Sequence, residues 1–232
     1  MTTLKLAVPS KGRLQADTID WFARHDINIR PAEGGREYTG QVDGVDNVEL
    51  VLLSAGEIPR ELKAGRIHLG LTGRDMVRER ISGWDDMVRE IAVPGFGFAD
   101  LVIAVPAFWT DVEDLDDLDS AAAAFRETHG FRLRIATKYH VLVREFLQAH
   151  DVADYQLVDS QGATEGTIRN LTAEAIADIT TTGETLRANH LKILKNALVL
   201  KSEAVLFEAA SAEWSDTATA ARDQIVSKLG AA

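Results

Sequence analysis

No cysteine occurs among the 232 residues. That excludes disulfides, a thiolate nucleophile and every cysteine-based zinc or iron–sulfur centre. Positive charge is scarce: 25 basic residues face 36 acidic ones, a formal net charge of −11. A protein gripping duplex nucleic acid by neutralising phosphates needs the opposite balance, although a local basic pocket for a small phosphate ligand stays compatible with it. No apolar run approaches the ~20 residues of a membrane span. The opening MTTLKLAVPSKGRL is broken by Lys5 and by Pro9-Ser10-Lys11, and no small-residue cleavage site follows. The expectation is therefore a cytoplasmic protein, without secretion signal or membrane attachment. The six histidines, His25, His68, His129, His140, His150 and His190, fall at no metal-ligand spacing, and no H-E-x-x-H, G-x-S-x-G or Walker phosphate loop is present.

What is there is an ordinary globular composition, 46% hydrophobic and 26% charged, on a chain long enough for one large or two small domains. One unit recurs: a short apolar strand, a polar turn, then a helical pattern. Leu4–Val8 leads through Pro9-Ser10-Lys11-Gly12-Arg13 into an amphipathic run to about Arg24. Val48–Leu53 leads through Ser54-Ala55-Gly56-Glu57 to a helix start at Ile58-Pro59, and His68–Leu71 through Thr72-Gly73-Arg74-Asp75 to a helix ending near Arg80. Leu133–Ala136 precedes a helix over Val141–Ala149, and Ala175–Ile179 runs through a threonine-rich turn into a helix ending near Asn189. This alternation predicts an α/β fold with largely parallel sheets, whose ligands bind beyond the carboxyl ends of the strands.

A Pro/Gly turn at Val93–Gly97 marks a boundary. The expected arrangement is two α/β domains around a cleft, with residues 1–93 and 188–232 forming a discontinuous first domain and 94–187 the second. A site between them is the natural place for a ligand. The acids between Asp111 and Asp119 are expected in a solvated loop. Ile193–Leu194 and Ala197–Val199 read as strand, and Val205–Ala221 as helix.

The sharpest chemical feature is Ile176–Leu186, an apolar strand entering four threonines around one glycine and then a helix. Amides at a helix start lack intrahelical partners and favour an anion. Gly183 allows close backbone approach, and Thr180, Thr181, Thr182 and Thr185 add hydroxyls: a phosphate cradle without a Walker lysine. The same residues also fit a plain N-capped turn. Pro9–Arg13 is a second such turn, with two cations suited to a polyphosphate or merely to solvent. Thr72–Asp75 is a weaker third, with one cation. Glu165 and Asp178 are carboxylates able to accept hydrogen bonds from sugar hydroxyls or to hold Mg²⁺, a hard ion preferring oxygen, and Asp178 fits equally well as the cap of a neighbouring turn.

Four segments occur in order over most of the chain: Ala7–Leu14 (AVPSKGRL), Gly65–Asp75 (GRIHLGLTGRD), Arg134–Tyr139 (RIATKY) and Gly162–Leu191 containing Thr182–Asn189 (TGETLRAN). In these the chain resembles the short form of the ATP phosphoribosyltransferase family, which catalyses the first step of histidine biosynthesis. The resemblance implies two α/β domains of the periplasmic-binding-protein type II kind. It implies transfer of phosphoribosyl from phosphoribosyl pyrophosphate to adenine N1 of ATP, with Mg²⁺ and release of pyrophosphate. By position, Asp178, Thr180, Thr181, Thr182, Gly183, Glu184 and Thr185 would take phosphoribosyl pyrophosphate. Ser10, Lys11, Gly12, Arg13, Arg36, Thr72 and Gly73 would take ATP, and Lys11, Arg13 and Glu165 would serve catalysis. The family's short form also implies a homodimer assembling with a regulatory subunit resembling histidyl-tRNA synthetase. Two departures stand out: Ser54 where the family usually carries arginine, and Ile168 where it often carries proline. Three other readings stay open here: a non-enzymatic small-molecule-binding protein of the same fold, an inactive scaffold subunit, and an orotate-type phosphoribosyltransferase. The last normally has paired acids before its loop, whereas Asp178 follows Ala177.

Overall fold

The computed structural model describes residues 3–31, 39–160 and 162–230. The chain forms two compact units, one of residues 1–98 with 203–232 and one of residues 99–202. Along unit one run β1 (Leu4–Pro9), α1 (Gly12–Ala23), β2 (Asn28–Pro31), β3 (Thr39–Asp43), β4 (Val48–Leu53), α2 (Ile58–Lys63), β5 (Leu69–Gly73), α3 (Arg74–Arg80), α4 (Trp84–Met87) and β6 (Val88–Ala92). Unit two contains β7 (Ala99–Pro106), α5 (Leu115–His129), β8 (Leu133–Thr137), α6 (His140–Ala149), β9 (Tyr155–Asp159), α7 (Gly166–Arg169), β10 (Ala175–Thr180), α8 (Glu184–Ala188) and β11 (Leu191–Ser202). The chain then returns to unit one with β12 (Ala204–Ala209) and α9 (Asp216–Leu229).

Both sheets are mixed rather than largely parallel. In the order β2-β3-β4-β1-β5-β12-β6, only the pairs of β1 with β4 and with β5 are parallel. In the order β11-β7-β10-β8-β9, only the pairs of β8 with β10 and with β9 are. The parallel strands are those the strand–turn–helix units supply, because a helix must carry the chain back before a parallel neighbour can form.

The period of two sorts the first core. Leu4, Leu6 and Val8 of β1 face Trp21 and Phe22 of α1 together with Ala218, Ala221 and Ile225 of α9. Ala7 turns the other way, onto a cluster with Ile58, Leu62 and Val77 of α2 and α3. β12 is apolar on both faces: Leu206 enters the first cluster, and Val205 and Phe207 the second. That double burial explains why Val205–Ala221 reads as helix from sequence. A continuous apolar run in a central strand has no alternation to distinguish it from a buried helix. The helix starts later, at Asp216, where the Ser215 side chain accepts from the Ala218 amide.

Two further expectations change in unit two. The acids near Asp114 open α5 rather than fill a loop. Asp114 caps the helix by accepting from the Asp117 amide at 3.0 Å, and Asp116 and Asp117 lie in its first turn, where the helix dipole favours negative charge. The strand material around Ile193 and Ala197 is one bulged strand, β11, paired with β7 from Leu191↔Pro106 to Ser202↔Ala99. Residues 191–202 therefore belong to the second unit, where a boundary at 188 assigned them to the first.

The α2–β5 turn yields two tests. α2 closes with Gly65 N–H donating to Leu62 O and Arg66 N–H to Glu61 O, both at 3.0 Å, the paired bonds of a glycine-terminated helix. Gly65 has φ +65°, and a Cβ there would lie 2.5 Å from the Ser211 carbonyl oxygen. Gly65→Ala is expected to cost at least ~1–2 kcal/mol from the left-handed backbone alone, read as a lower urea midpoint. Beside it, Arg66 donates to Glu61 at 2.5 and 2.8 Å and holds the Glu61 carboxyl below its ordinary value of 4.5. A depressed carboxylate stabilises above its unfolded pKa and loses that contribution as pH falls through the folded one. Glu61→Gln should accordingly unfold earlier than the parent at pH 7, and the gap should close on acidification in chemical-denaturation curves.

Candidate active site

In unit one the ends of β1, β4 and β5 share an edge, since Pro9 pairs with Leu53 and Ala7 with Gly70. Ser10 N–H donates to Leu53 O at 2.7 Å, joining the two turns that follow these strands. Lys11 is the N-cap of α1 in extended backbone, and no acid occupies the helix's first turn. Lys11 and Arg13 are exposed, and among the described residues neither has a carboxylate partner. Two cations thus add to the positive end of a twelve-residue helix, with no carboxylate partner among the described residues. Gly12 sits between them, and Gly73 lies on the same edge at the end of β5.

The other turns at this edge are committed to structure. Thr72 is fully buried and donates from Oγ1 to Ala55 O at 2.8 Å, so its hydroxyl braces the turn after β4. Arg74 gives the third turn no free cation. It donates to Glu90 at 2.8 and 3.0 Å and to Glu203 at 3.1 Å, which together hold it firmly protonated. Ser54 closes the start of α2. Its N–H donates to Glu57 Oε2 at 3.0 Å, and bonds from its hydroxyl and amide lower the Glu57 pKa. Arg36 lies outside the described residues.

In unit two β8 runs parallel to both β9 and β10, with Thr137 paired to Asp159 and to Ala177. Beyond their ends come Lys138, the 160–165 turn and the threonine loop. The turn is held by Ser160 Oγ donating to Thr164 Oγ1 at 2.9 Å, both side chains buried, and by Lys138 Nζ donating to Gly162 O at 2.6 Å. His140 Nε2 lies 2.7 Å from Asp159 Oδ1 on the flank. Glu165 sits half-buried at the start of α7 without capping it. Asp178 is also half-buried and accepts from the Ile179 amide at 2.8 Å.

The threonines divide by what they hold. Thr180 Oγ1 accepts from Gly183 N–H at 2.9 Å, and Thr182 Oγ1 from Glu184 N–H at 3.3 Å, so both shape the loop. Thr181 is exposed and has a partner of its own. Thr185 is exposed and its hydroxyl has no partner among the described residues. Gly183 has φ +71°, the left-handed turn that lets α8 begin. α8 has only five residues, Glu184 first, so its dipole is weaker than a full helix would supply. The missing positive charge comes from Arg187. Its guanidinium donates to Thr182 O at 3.0 Å and lies 3.0 Å from where a Gly183 Cβ would stand. Arg187 had no role in the sequence reading, although its place four residues after Gly183 puts it one helical turn on, back beside the loop.

Among the described residues, those predicted from sequence thus lie at one sheet edge of each unit. Ser10, Lys11, Gly12, Arg13, Thr72 and Gly73 gather in the first, and Glu165, Asp178 and Thr180–Thr185 in the second. Among the described residues no group of three His, Asp or Glu side chains is placed to hold a metal ion, and no helix is long and apolar enough to cross a membrane.

Known proteins bear on this arrangement. The chain is 70% identical over 216 residues to an ATP phosphoribosyltransferase of Cereibacter sphaeroides, covering 93% of this chain and 92% of that one. Its fold is similar to that of an ATP phosphoribosyl transferase (HisG:HisZ) complex from Thermotoga maritima, with TM-score 0.73 at 19% identity, covering 98% of this chain and 96% of that one. It is also similar to a substrate-binding protein of an amino acid ABC transporter, with TM-score 0.52 at 13% identity and 98% and 91% coverage. Both structural likenesses support two α/β units of the type II binding-protein kind. Residues 54–231 match the model of one family, and with that match the chain belongs to the ATP phosphoribosyltransferase family.

Proposed function

We propose that the chain is the catalytic subunit that transfers phosphoribosyl from phosphoribosyl pyrophosphate to N1 of ATP's adenine and releases pyrophosphate, the first step of histidine biosynthesis. Family membership carries the reaction. The threonine loop, with one hydroxyl free at Thr185 and Arg187 beside it, supports the placement of the 5′-phosphate. Glu165 and Asp178 face the ribose, and Lys11 and Arg13 meet the polyphosphate. Ser10, Gly12 and Gly73 line the backbone against ATP, and Thr72 holds that edge in shape.

The chemistry asks for little acid–base machinery. Adenine N1 has a free lone pair and forms the new bond to C1. The C1–oxygen bond breaks with its electron pair leaving on pyrophosphate, and the 6-amino group of the alkylated ring then gives up a proton, for which Glu165 is the carboxylate acceptor in this scheme. The barrier is charge separation between an oxocarbenium-like ribose and the departing pyrophosphate. Fixed cations and oriented donors lower it without reorganising. The oxygen-only donor set fits Mg²⁺, which typically takes one or two carboxylates and completes its shell with substrate phosphates and water. Asp178 or Glu165 would supply the carboxylate, and the ion would offset charge on pyrophosphate.

The likeness to a HisG:HisZ complex supports a partner of the HisZ kind. We further propose that this partner resembles histidyl-tRNA synthetase and assembles with a homodimer of this chain. The test is pyrophosphate release by the purified chain with ATP, phosphoribosyl pyrophosphate and Mg²⁺, with and without such a partner. Release that needs both substrates, accompanied by the ultraviolet change of N1-alkylated adenine, is the expected result. No release in either condition sinks the assignment.

A further inference from the structure

Unit two carries a polar cavity at the opposite edge of its sheet from the threonine loop. Its volume is about 530 Å³, and its wall includes Arg132 just before β8, Arg144 and Gln148 of α6, and Tyr155, Gln156 and Leu157 of β9. Leu133 pairs with Tyr155 at this end of the sheet and Thr137 with Asp159 at the other. At ~3.3 Å per residue the two edges are roughly 13 Å apart, so a phosphoryl group bound at one is out of hydrogen-bond reach of the other.

The wall carries two arginines, Arg132 and Arg144, in a chain of net charge −11. Arg126 and Arg134 nearby are committed to Asp154 and Glu174, at 2.5 Å each. Arg144 has no such partner among the described residues and stands one helical turn from Gln148 on the exposed side of α6. Arg132 Nε is 3.9 Å from Asp154 Oδ1, beyond hydrogen-bond range of an oxygen that already accepts from Arg126. Asp119 accepts from the Ala153 amide at 2.8 Å. Burial raises the pKa of the Tyr155 hydroxyl, and the charges of Arg144 and Arg132 each oppose that rise. Arg132, Arg144 and Tyr155 thus line one cavity together with Gln148 and Gln156. Guanidinium forks bind phosphoryl oxygens in pairs, which favours a dianionic phosphoryl group over a single carboxylate. The cavity also exceeds what phosphate alone fills and lies within the size range of small-molecule sites.

We propose that this cavity is a phosphoryl-binding site separate from the catalytic edge, with Arg132 and Arg144 as the cations and Tyr155 as the hydroxyl donor, for inorganic phosphate or a small phosphate monoester. The experiment is an NMR titration of the isotopically labelled full chain with inorganic phosphate, with ribose 5-phosphate and with acetate. Saturable shifts at residues 148 and 155–157 are expected with a phosphoryl ligand. The Arg132→Gln/Arg144→Gln double variant should weaken them about tenfold or more, leaving any shifts at residues 180–185 as in the parent. Tighter binding of the monoester identifies an organic phosphate as the ligand, and equal binding identifies the phosphoryl group itself. Arg144→Lys should retain part of the affinity, and unchanged thermal melting shows that the variants are folded. No saturable shift at these positions, acetate shifts equal to those of phosphate, or parent-like affinity in the double variant would each overturn the site.

Discussion

Lys11→Ala is expected to lower kcat by about 10²–10³, the range for removing one preorganised group that stabilises developing charge, while leaving the unfolding midpoint where it was. Stability should not move because the side chain is exposed and ion-pairs with nothing among the described residues. Turnover should move because the N-terminal turn of α1 has no acid to offset Lys11 and Arg13. The breaking C1–oxygen bond throws negative charge onto pyrophosphate, and that is when an unneutralised cation is worth most. Adding Arg13→Ala should cost less than a second full factor, because two cations serving one leaving group are not independent. Steady-state kinetics with both substrates saturating, set beside denaturation curves, separates the effects. Parent-like kcat and KM for Lys11→Ala would return this turn to plain solvated surface.

Much of the scaffold was legible because strand, polar turn and helix recur with distinct periods. Val48–Leu53 and the end of α3 at Arg80 are read directly from the residues, and β8 and β10 to within one position. What escaped lacks a local signature. β12 is apolar on both faces and so loses its alternation, and β2, the edge strand, and β3 beside it are only four and five residues long. Asp114 looks like one acid in a charged run until its carboxylate is seen capping α5. At the site, sequence spacing brings the threonines to one sheet edge but cannot divide their labour. Only coordinates show that Thr72 and Thr180 are spent on the protein's own backbone, and that Arg74, which looks like a ligand cation, neutralises Glu90 and Glu203. Conversely Arg187, placed outside the loop by sequence, folds back to it. The type II binding-protein likeness adds fold but no chemistry; one architecture serves transport proteins and transferases, so the reaction rests on family membership and on these side chains.

That division of labour among the threonines makes the second large effect specific. Thr185→Val keeps the side chain's shape and deletes a hydroxyl with no partner among the described residues, so folding should be indifferent to it. Binding should not be. A hydrogen bond to a charged group contributes ~1.5–3 kcal/mol, and its loss weakens phosphoribosyl pyrophosphate binding roughly 10- to 100-fold. Thr180→Val is the informative contrast. Its hydroxyl accepts from the Gly183 amide, so its removal strands a backbone donor in a part-buried turn and loosens the loop at its left-handed residue. That variant should lose both stability and affinity. Calorimetric titration with phosphoribosyl pyrophosphate and Mg²⁺, alongside thermal unfolding, reads both quantities on both variants. Weakened binding in Thr185→Val at parent-like melting temperature, with both quantities reduced in Thr180→Val, is the signature of a loop in which one threonine touches phosphate and the other holds the shape. Equal affinities in Thr185→Val and the parent would remove the threonine loop from the phosphate's first contacts and leave Arg187 as the group to vary next.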